Sequence, residues 1–240
     1  MERRSSAHFT LYSELLADQN ATLLDSLEEA HSHATKLLGD TIPAGEPVPV
    51  LVTASRRRFA PVLSPTTKGF RGVLIDGSPV IILVVNDSVR PYTRHEVMHD
   101  VAFKLWGVAD QRVTWLSEAM ATFADGNCQG VPNIVVARDL LQANPQLTIE
   151  ELANNFWSIG VLNRHGAYVL GASFVEFVWQ RGGRDSVRRL WSTGEWPQAR
   201  DLGGSPLSQE LSSAWRDYVK GVAGNRVGLD PQLLLRNGCG

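Results

Sequence analysis

Two histidines four residues apart, with a glutamate directly after the first, form the segment best suited to chemistry: His95-Glu96-Val97-Met98-His99. On a helix, residues four apart lie on one face about one turn apart, so both imidazoles can reach a single metal ion. Glu96 is then placed to act on a water molecule at the metal. This is the H-E-x-x-H pattern of two ligands and a general base. The alternative is that both histidines are ordinary boundary residues of an amphipathic helix.

A third candidate ligand is Glu118, which follows His99 after eighteen intervening residues. It is an isolated acid between Leu116 and Met120, in a predicted helix that is otherwise suited to burial. A buried carboxylate is costly unless it is paired or bound to a metal. Since a catalytic zinc has three protein ligands and an open position, His95, His99 and Glu118 predict a zinc site. The alternative is an exposed glutamate on a surface helix.

These two segments resemble the metal motifs of the gluzincin metallopeptidases. The third ligand of that family lies in a W-L-x-E-G-x-A motif downstream of H-E-x-x-H. Residues 115–121 here read Trp-Leu-Ser-Glu-Ala-Met-Ala, with Ala119 in place of the usual glycine. The spacing is similar to that of the aminopeptidase branch, and the order of elements is similar to that of the compact bacterial peptidase MA-like domains. The resemblance extends over nearly the whole chain, but only the metal motifs are specific.

The resemblance implies an α+β, zincin-like fold with one zinc ion (Zn2+) per chain and hydrolysis of peptide bonds in a peptide or protein substrate. Glu96 would take a proton from the attacking water and pass it to the leaving amine. Tyr168, Gly171 and Ala172 match the Tyr-x-x-Gly-Ala segment, whose tyrosine stabilises the oxyanion in aminopeptidase-type gluzincins. Core packing is the alternative role for Tyr168. His165 is a second candidate for the same task, and its alternative is a surface position where a helix begins.

One departure from the family concerns the choice of substrate. Aminopeptidases of this clan carry Gly-x-Met-Glu-Asn on an edge strand, where the acid holds the free amine of the substrate, but residues 72–76 here read Gly-Val-Leu-Ile-Asp. Cleavage within a chain is therefore preferred. We expect the strand from Ile81 to Val85 to form the edge of the sheet and to pair with an extended substrate. Proline at Ile82 or Val84 would then impair cleavage.

Hydrophobic periodicity predicts an N-terminal sheet with one helix, followed by a helical second half. Strands are expected at residues 9–12, 49–53, 71–75 and 80–85. An apolar stripe from Leu23 to Leu38 predicts a helix that ends at Gly39, with His31 and His33 at its surface. Further helices are expected at about residues 92–106, 115–125, 134–143, 148–157, 166–181, 184–191 and 207–220.

These elements predict one catalytic domain over residues 1–240. Residues 1–90 would form a sheet-rich lobe and residues 91–240 a helical lobe, with the metal site between them. Two cysteines, Cys128 and Cys239, are too few for a disulfide framework, and we expect both to be unpaired, with a bond between the two left open as the alternative.

Composition excludes several classes of function. The 240 residues hold 23 Lys+Arg and 25 Asp+Glu, a net charge of −2, which gives no global reason to expect binding to nucleic acid. The short run at residues 56–58 is expected to be solvated. The longest apolar run, residues 80–85, is far shorter than the roughly 20 residues that cross a bilayer. The first residues lack the apolar stretch of a signal peptide, so export would require that a signal has been removed.

Two other functions compete with an endopeptidase at this stage. One is a catalytically inactive metal-binding or interaction module on the same fold, and the other is an aminopeptidase. Metal content together with turnover separates the first from an enzyme, and blocking the N-terminus of the substrate tests the second. Oligomeric state, compartment and substrate sequence are left open.

Overall fold

The computed structural model describes residues 2–39, 41–42, 45–55, 57, 69–74, 77–86, 91–158, 164–195 and 209–224. Its contacts group the chain into two compact units, residues 1–105 and 106–239. The first unit holds a mixed sheet with helices, and the described part of the second is mainly helical, so the α+β composition is confirmed. Among these residues, no helix is both long and apolar enough to span a membrane.

The sheet of the first unit has five strands. They are β1 (Glu2–Ser5), β2 (Phe9–Ser13), β3 (Val48–Thr53), β4 (Gly69–Val73) and β5 (Pro79–Val84). The strand order is β1-β2-β3-β5-β4. Strands β2, β3 and β5 are parallel, while β1 and β4 run antiparallel to their neighbours at the two edges. The strand β1 was not predicted, because Glu-Arg-Arg-Ser carries no apolar alternation.

The expectation that residues 81–85 form the edge of the sheet is wrong, because β5 pairs with β3 on one side and β4 on the other. Every residue of β5 from Val80 to Val84 is buried, as expected for a strand covered on both faces. The edge is β4, a short strand with two glycines and Arg71. Short strands that carry a charge are typical of sheet edges. Ile75, the last residue of the strand predicted at 71–75, lies outside the described residues.

Two helices belong largely to the first unit, α1 (Ala17–Leu38) and α2 (Thr93–Trp106). The helix α1 ends as predicted at Gly39, whose positive φ of 74° allows its N–H to donate to Thr35 O. The two helices are linked by a hydrogen bond between Ser26 Oγ and Thr93 Oγ1, 2.9 Å long. The start of α2 is thereby fixed to α1.

The expectation that His31 lies on the surface is wrong. Its side chain is 7% exposed, and its ring stacks on that of His8 with centroids 3.8 Å apart. His31 lies one turn after Leu27 and one residue after Ala30, both fully buried, so it borders the buried stripe of α1. Burial and the neighbouring His8 lower the pKa of His31 below its usual 6.5.

The described residues of the second unit contain a 3-10 turn (Gln111–Val113), followed by five α-helices and a short hairpin. The helices and strands are α3 (Leu116–Asp125), β6 (Asn127–Cys128), β7 (Val131–Pro132), α4 (Asn133–Ala143), α5 (Ile149–Asn155), α6 (Arg164–Thr193) and α7 (Gln209–Ala223). Each predicted helix of this half is confirmed within a few residues. Thr148 caps α5 by accepting a 3.0 Å hydrogen bond from Glu151 N, as the capping pattern predicts. The helix α6 is broken at Gly183 (φ 69°, ψ −177°), which corresponds to the two helices predicted there.

The expectation that the cysteines are unpaired is wrong for Cys128. This residue is disulfide-bonded and fully buried in β6. The hairpin β6–β7 that carries it was not predicted, since two-residue strands have no periodicity to detect. Cys239 lies outside the described residues.

Candidate metal and catalytic site

Helix α2 presents both histidines of the H-E-x-x-H segment on one face. The imidazole rings of His95 and His99 lie with their centroids 4.9 Å apart and their planes 80° apart. The turn that carries them is held by Val97, Met98 and Val101, which are fully buried. The helix therefore forms for packing reasons, and its histidines take the spacing that the sequence predicts.

Glu96 is buried against the backbone of the edge strand β4. Its side chain is 5% exposed. A Cβ atom added to Gly69 would lie 2.5 Å from Glu96 Oε1, 2.7 Å from its Cγ and 2.9 Å from its Cδ. Since a Cβ atom this close would force the Glu96 side chain to move, glycine at position 69 leaves room for the carboxylate where it lies. Sequence reasoning missed Gly69, although a glycine in a strand is a known sign of close approach.

Three charged residues on α2 and β4 form a group that begins directly after His99. Asp100 follows His99 directly and is 1% exposed, and its carboxylate lies 2.8 Å from Lys104 Nζ and 3.7 Å from Arg71 Nη2. Arg71 belongs to β4, two residues after Gly69. Contacts therefore join β4 to α2 at two points along the strand.

Glu118 lies in the first turn of α3 and is partly exposed. Its position depends on how α3 packs, because Leu116, Ala119 and Met120 are all fully buried around it. Gly171 of α6 is the close contact: a Cβ there would lie 2.9 Å from Ala119 Cβ and 3.0 Å from Phe156 Cε2. Because Gly171 has no side chain, α6 can approach α3 at the residue next to Glu118.

Among the residues that the structure describes, one group of histidine, cysteine and acidic side chains has the geometry to hold a metal ion. It consists of His95, His99 and Glu118. Each offers one ligand atom, and these atoms all lie within 4.8 Å of one another. Two imidazoles and a carboxylate are a donor set that suits zinc, whose bonds to such atoms are about 2.0–2.2 Å long. The three residues brought together are those that the sequence predicts.

Tyr168 and His165 lie on α6 within a group of aromatic rings. The Tyr168 ring stacks on Phe156, with centroids 5.5 Å apart and planes at 13°, and meets Trp157 edge-on at 6.4 Å. The His165 ring lies 6.3 Å from that of Tyr168. Both residues are partly buried, so His165 is not an open surface residue. The ring of Tyr168 therefore has a packing role, whatever its hydroxyl does.

No family model matches the chain, and no curated protein matches its sequence. The site itself offers two neighbouring imidazoles, a nearby carboxylate, and a second carboxylate held in a buried position.

Proposed function

We propose that this chain is a zinc-dependent peptidase with a zincin-like fold, related to the gluzincins. The observation that carries the proposal is the group formed by His95, His99 and Glu118, with the buried carboxylate of Glu96 next to the first ligand. The donor set leaves an open position for water or substrate, which is the arrangement of catalytic rather than structural zinc sites. A zinc ion in such a site supplies Lewis acidity, which polarises a carbonyl oxygen and makes water acidic near neutral pH.

Glu96 serves as the general base in this proposal. It accepts the proton of the attacking water and then donates it to the amine that leaves when the peptide bond breaks. Contact with the Gly69 backbone restricts the positions that its carboxylate can occupy. Holding a base in one position contributes to the rate, since the entropy of alignment is lost before the reaction begins.

Tyr168 is proposed to stabilise the negative charge that develops on the carbonyl oxygen. Its hydroxyl would donate a hydrogen bond to that oxygen, while its ring remains stacked on Phe156. A ring held on two sides by aromatic neighbours presents its hydroxyl with little freedom. His165, whose ring is 6.3 Å away, remains the second candidate for this role.

The strand β4 is the proposed binding edge for an extended substrate. It is the edge strand nearest to Glu96, and main-chain groups of such an edge can pair with an added strand. Three apolar side chains along it are exposed: Phe70 (37%), Val73 (58%) and Leu74 (43%). They offer apolar surface to side chains of a bound peptide. The sequence at residues 72–76 lacks the Met-Glu-Asn of aminopeptidases, so we propose cleavage within a chain.

The disulfide at Cys128 favours a protein that works in an oxidising compartment. Disulfides persist in exported and cell-surface proteins and are rare in the reducing cytosol. Thiol titration of the unfolded protein, before and after reduction, tests whether the disulfide is present. We expect free thiols only after reduction, and free thiols beforehand would contradict the assignment.

Metal analysis and a peptide-library digest together test the proposal. We expect about one zinc per chain in the wild type, and loss of zinc in His99→Ala and Glu118→Ala. Glu150→Ala, on the exposed face of α5, is the matched control and should keep both zinc and turnover. A wild type that binds zinc but cleaves no peptide would favour an inactive module. Cleavage that stops when the N-terminus of the substrate is blocked would favour an aminopeptidase.

A further inference from the structure

The Arg71 guanidinium on β4 lies next to the carboxylate of Asp100, the residue that follows His99 on α2. Arg71 Nη2 and Asp100 Oδ1 are 3.7 Å apart. Lys104, one turn further along α2, places its Nζ 2.8 Å from Asp100 Oδ2. The guanidinium also stacks over the Phe103 ring, with Cζ 4.3 Å from the centroid. Charge and a cation–π contact therefore both tie β4 to α2.

Both charges of the pair are largely withdrawn from water. The side chains of Arg71 and Asp100 are 13% and 1% exposed, and their closest atoms, 3.7 Å apart, form an ion pair without a hydrogen bond. A buried ion pair of this kind adds little net stability, because desolvation offsets the attraction. Removal of Asp100 is nevertheless costly, since the buried guanidinium is left uncompensated, whereas removal of Arg71 leaves Asp100 with Lys104 alone. The pair is therefore better suited to selecting one arrangement of β4 and α2 than to stabilising the fold.

The two contacts between β4 and α2 are separated by almost the same distance along the strand and along the helix. Gly69 and Arg71 are two residues apart, about 6.6 Å along a strand, and they point to the same face of the sheet. Their partners Glu96 and Asp100 are four residues apart, about 6 Å along a helix. The ion pair is thus two strand residues and about one helical turn away from the contact between Gly69 and the candidate base.

We propose that the Arg71–Asp100 pair sets the position of β4 along α2 and thereby holds the Gly69 backbone against the Glu96 carboxylate. Both members of the pair are positioning residues, and the inference rests on the proposed function, in which Glu96 is the base. A shift of β4 by two residues would keep every side chain on its face. It would, however, replace Gly69 by Arg71 at Glu96, and no room for the carboxylate would remain.

A double-mutant cycle on the full chain, purified with zinc, tests the inference. The variants are Arg71→Gln, Asp100→Asn and their combination. For each variant we would measure zinc content, the kcat and KM of peptide cleavage, and hydrogen exchange of the β4 and β5 amides. Each single substitution should lower kcat at least tenfold, leave zinc content unchanged and speed exchange in β4. The double variant should lose no more than the worse single variant, because the two residues act as one unit. Arg71→Lys keeps the charge and should retain most of the activity.

Arg4→Gln is the matched control, since it removes an ion pair with Glu2 (2.6 Å) on β1, at the opposite edge of the sheet. It should alter neither kcat nor exchange in β4. Wild-type exchange in β4 of both single variants, or losses that multiply in the double variant, would overturn the inference. If a single variant does not fold, kcat and β4 exchange are compared between the double variant, which lacks the ion pair, and Arg71→Lys, which keeps it. A wild type that cleaves no peptide would refute the proposed function instead, and the exchange rates would still decide whether the pair holds β4.

Discussion

The Cα atom of Gly69 and the carboxylate of Glu96 lie so close that a methyl group on Gly69 would come within 2.5 Å of Glu96 Oε1. The strand β4 therefore approaches the candidate base through the backbone at Gly69. One carbon atom added at Gly69 would therefore change the position of the candidate base, although Gly69 is not one of the candidate ligands.

Gly69→Ala should lower kcat by on the order of a hundredfold, because the carboxylate of Glu96 must move by about an ångström to admit the new methyl group. Zinc content should not change. Gly72→Ala is the matched control on the same strand, since its Cβ would meet the Phe70 ring at 2.4 Å on the other face of β4. That ring is partly exposed and can turn, so a much smaller loss of kcat is expected. Equal losses of kcat in the two variants, measured by steady-state kinetics, would show that any disturbance of β4 lowers activity and would contradict a specific role for the Gly69–Glu96 contact.

Tyr168→Phe separates the two roles of this tyrosine. The substitution keeps the ring that stacks on Phe156 and removes the hydroxyl. If the hydroxyl stabilises the oxyanion, kcat should fall by about 10²–10³ while the temperature of unfolding stays within a few degrees. If the residue only packs, kcat will be unchanged, and His165→Gln becomes the variant to measure.

Gly171→Val should weaken zinc binding without touching a ligand. The new side chain would collide with Ala119, beside Glu118, and overpacking of this kind costs about 1–3 kcal/mol. Denaturant unfolding measures the loss of stability, and competition with a chelator measures the zinc affinity. Gly221→Val on α7 is the control, because nothing lies within 4 Å of a Cβ at that position. Unchanged zinc affinity in Gly171→Val would mean that Glu118 does not depend on this contact.

His31 should make the fold less stable in acid. Its pKa in the folded state is lowered by burial and by His8, so the unfolded state binds a proton first as the pH falls through about 6.5. Stability that is fully present above this pH is therefore lost below it. Glu28 and Asp100 oppose the shift, while Lys104 adds to it. The free energy of unfolding should fall less between pH 7.5 and 5.5 in His31→Gln than in the wild type, since every other titrating group is common to both. An equal fall would contradict the assignment.

Local patterns predicted the helices well. The apolar stripe of α1 ends at Gly39, and α5 begins after Thr148, because the residues that form and end a helix are neighbours in sequence. The same reason explains why His95 and His99 could be placed on one face. The strands β1 and β6 were missed because neither carries an apolar repeat.

Relationships between distant segments could not be predicted in this way. The order of strands depends on pairings between segments far apart in sequence, so the interior β5 was taken for the edge instead of β4. Its unbroken apolar run was a usable sign of burial on both faces. The contacts of Gly69 with Glu96 and of Arg71 with Asp100 join residues more than twenty-five positions apart. No spacing rule connects such pairs.

The zinc content and turnover of Glu96→Gln test the central claim most directly. The substitution preserves the size of the side chain and removes the base, and Glu96 is not among the three ligand candidates. We expect about one zinc per chain, as in the wild type, together with a fall in kcat of about 10²–10⁴. A variant that cleaves peptides as fast as the wild type while holding zinc would contradict the assignment of Glu96 as the catalytic base.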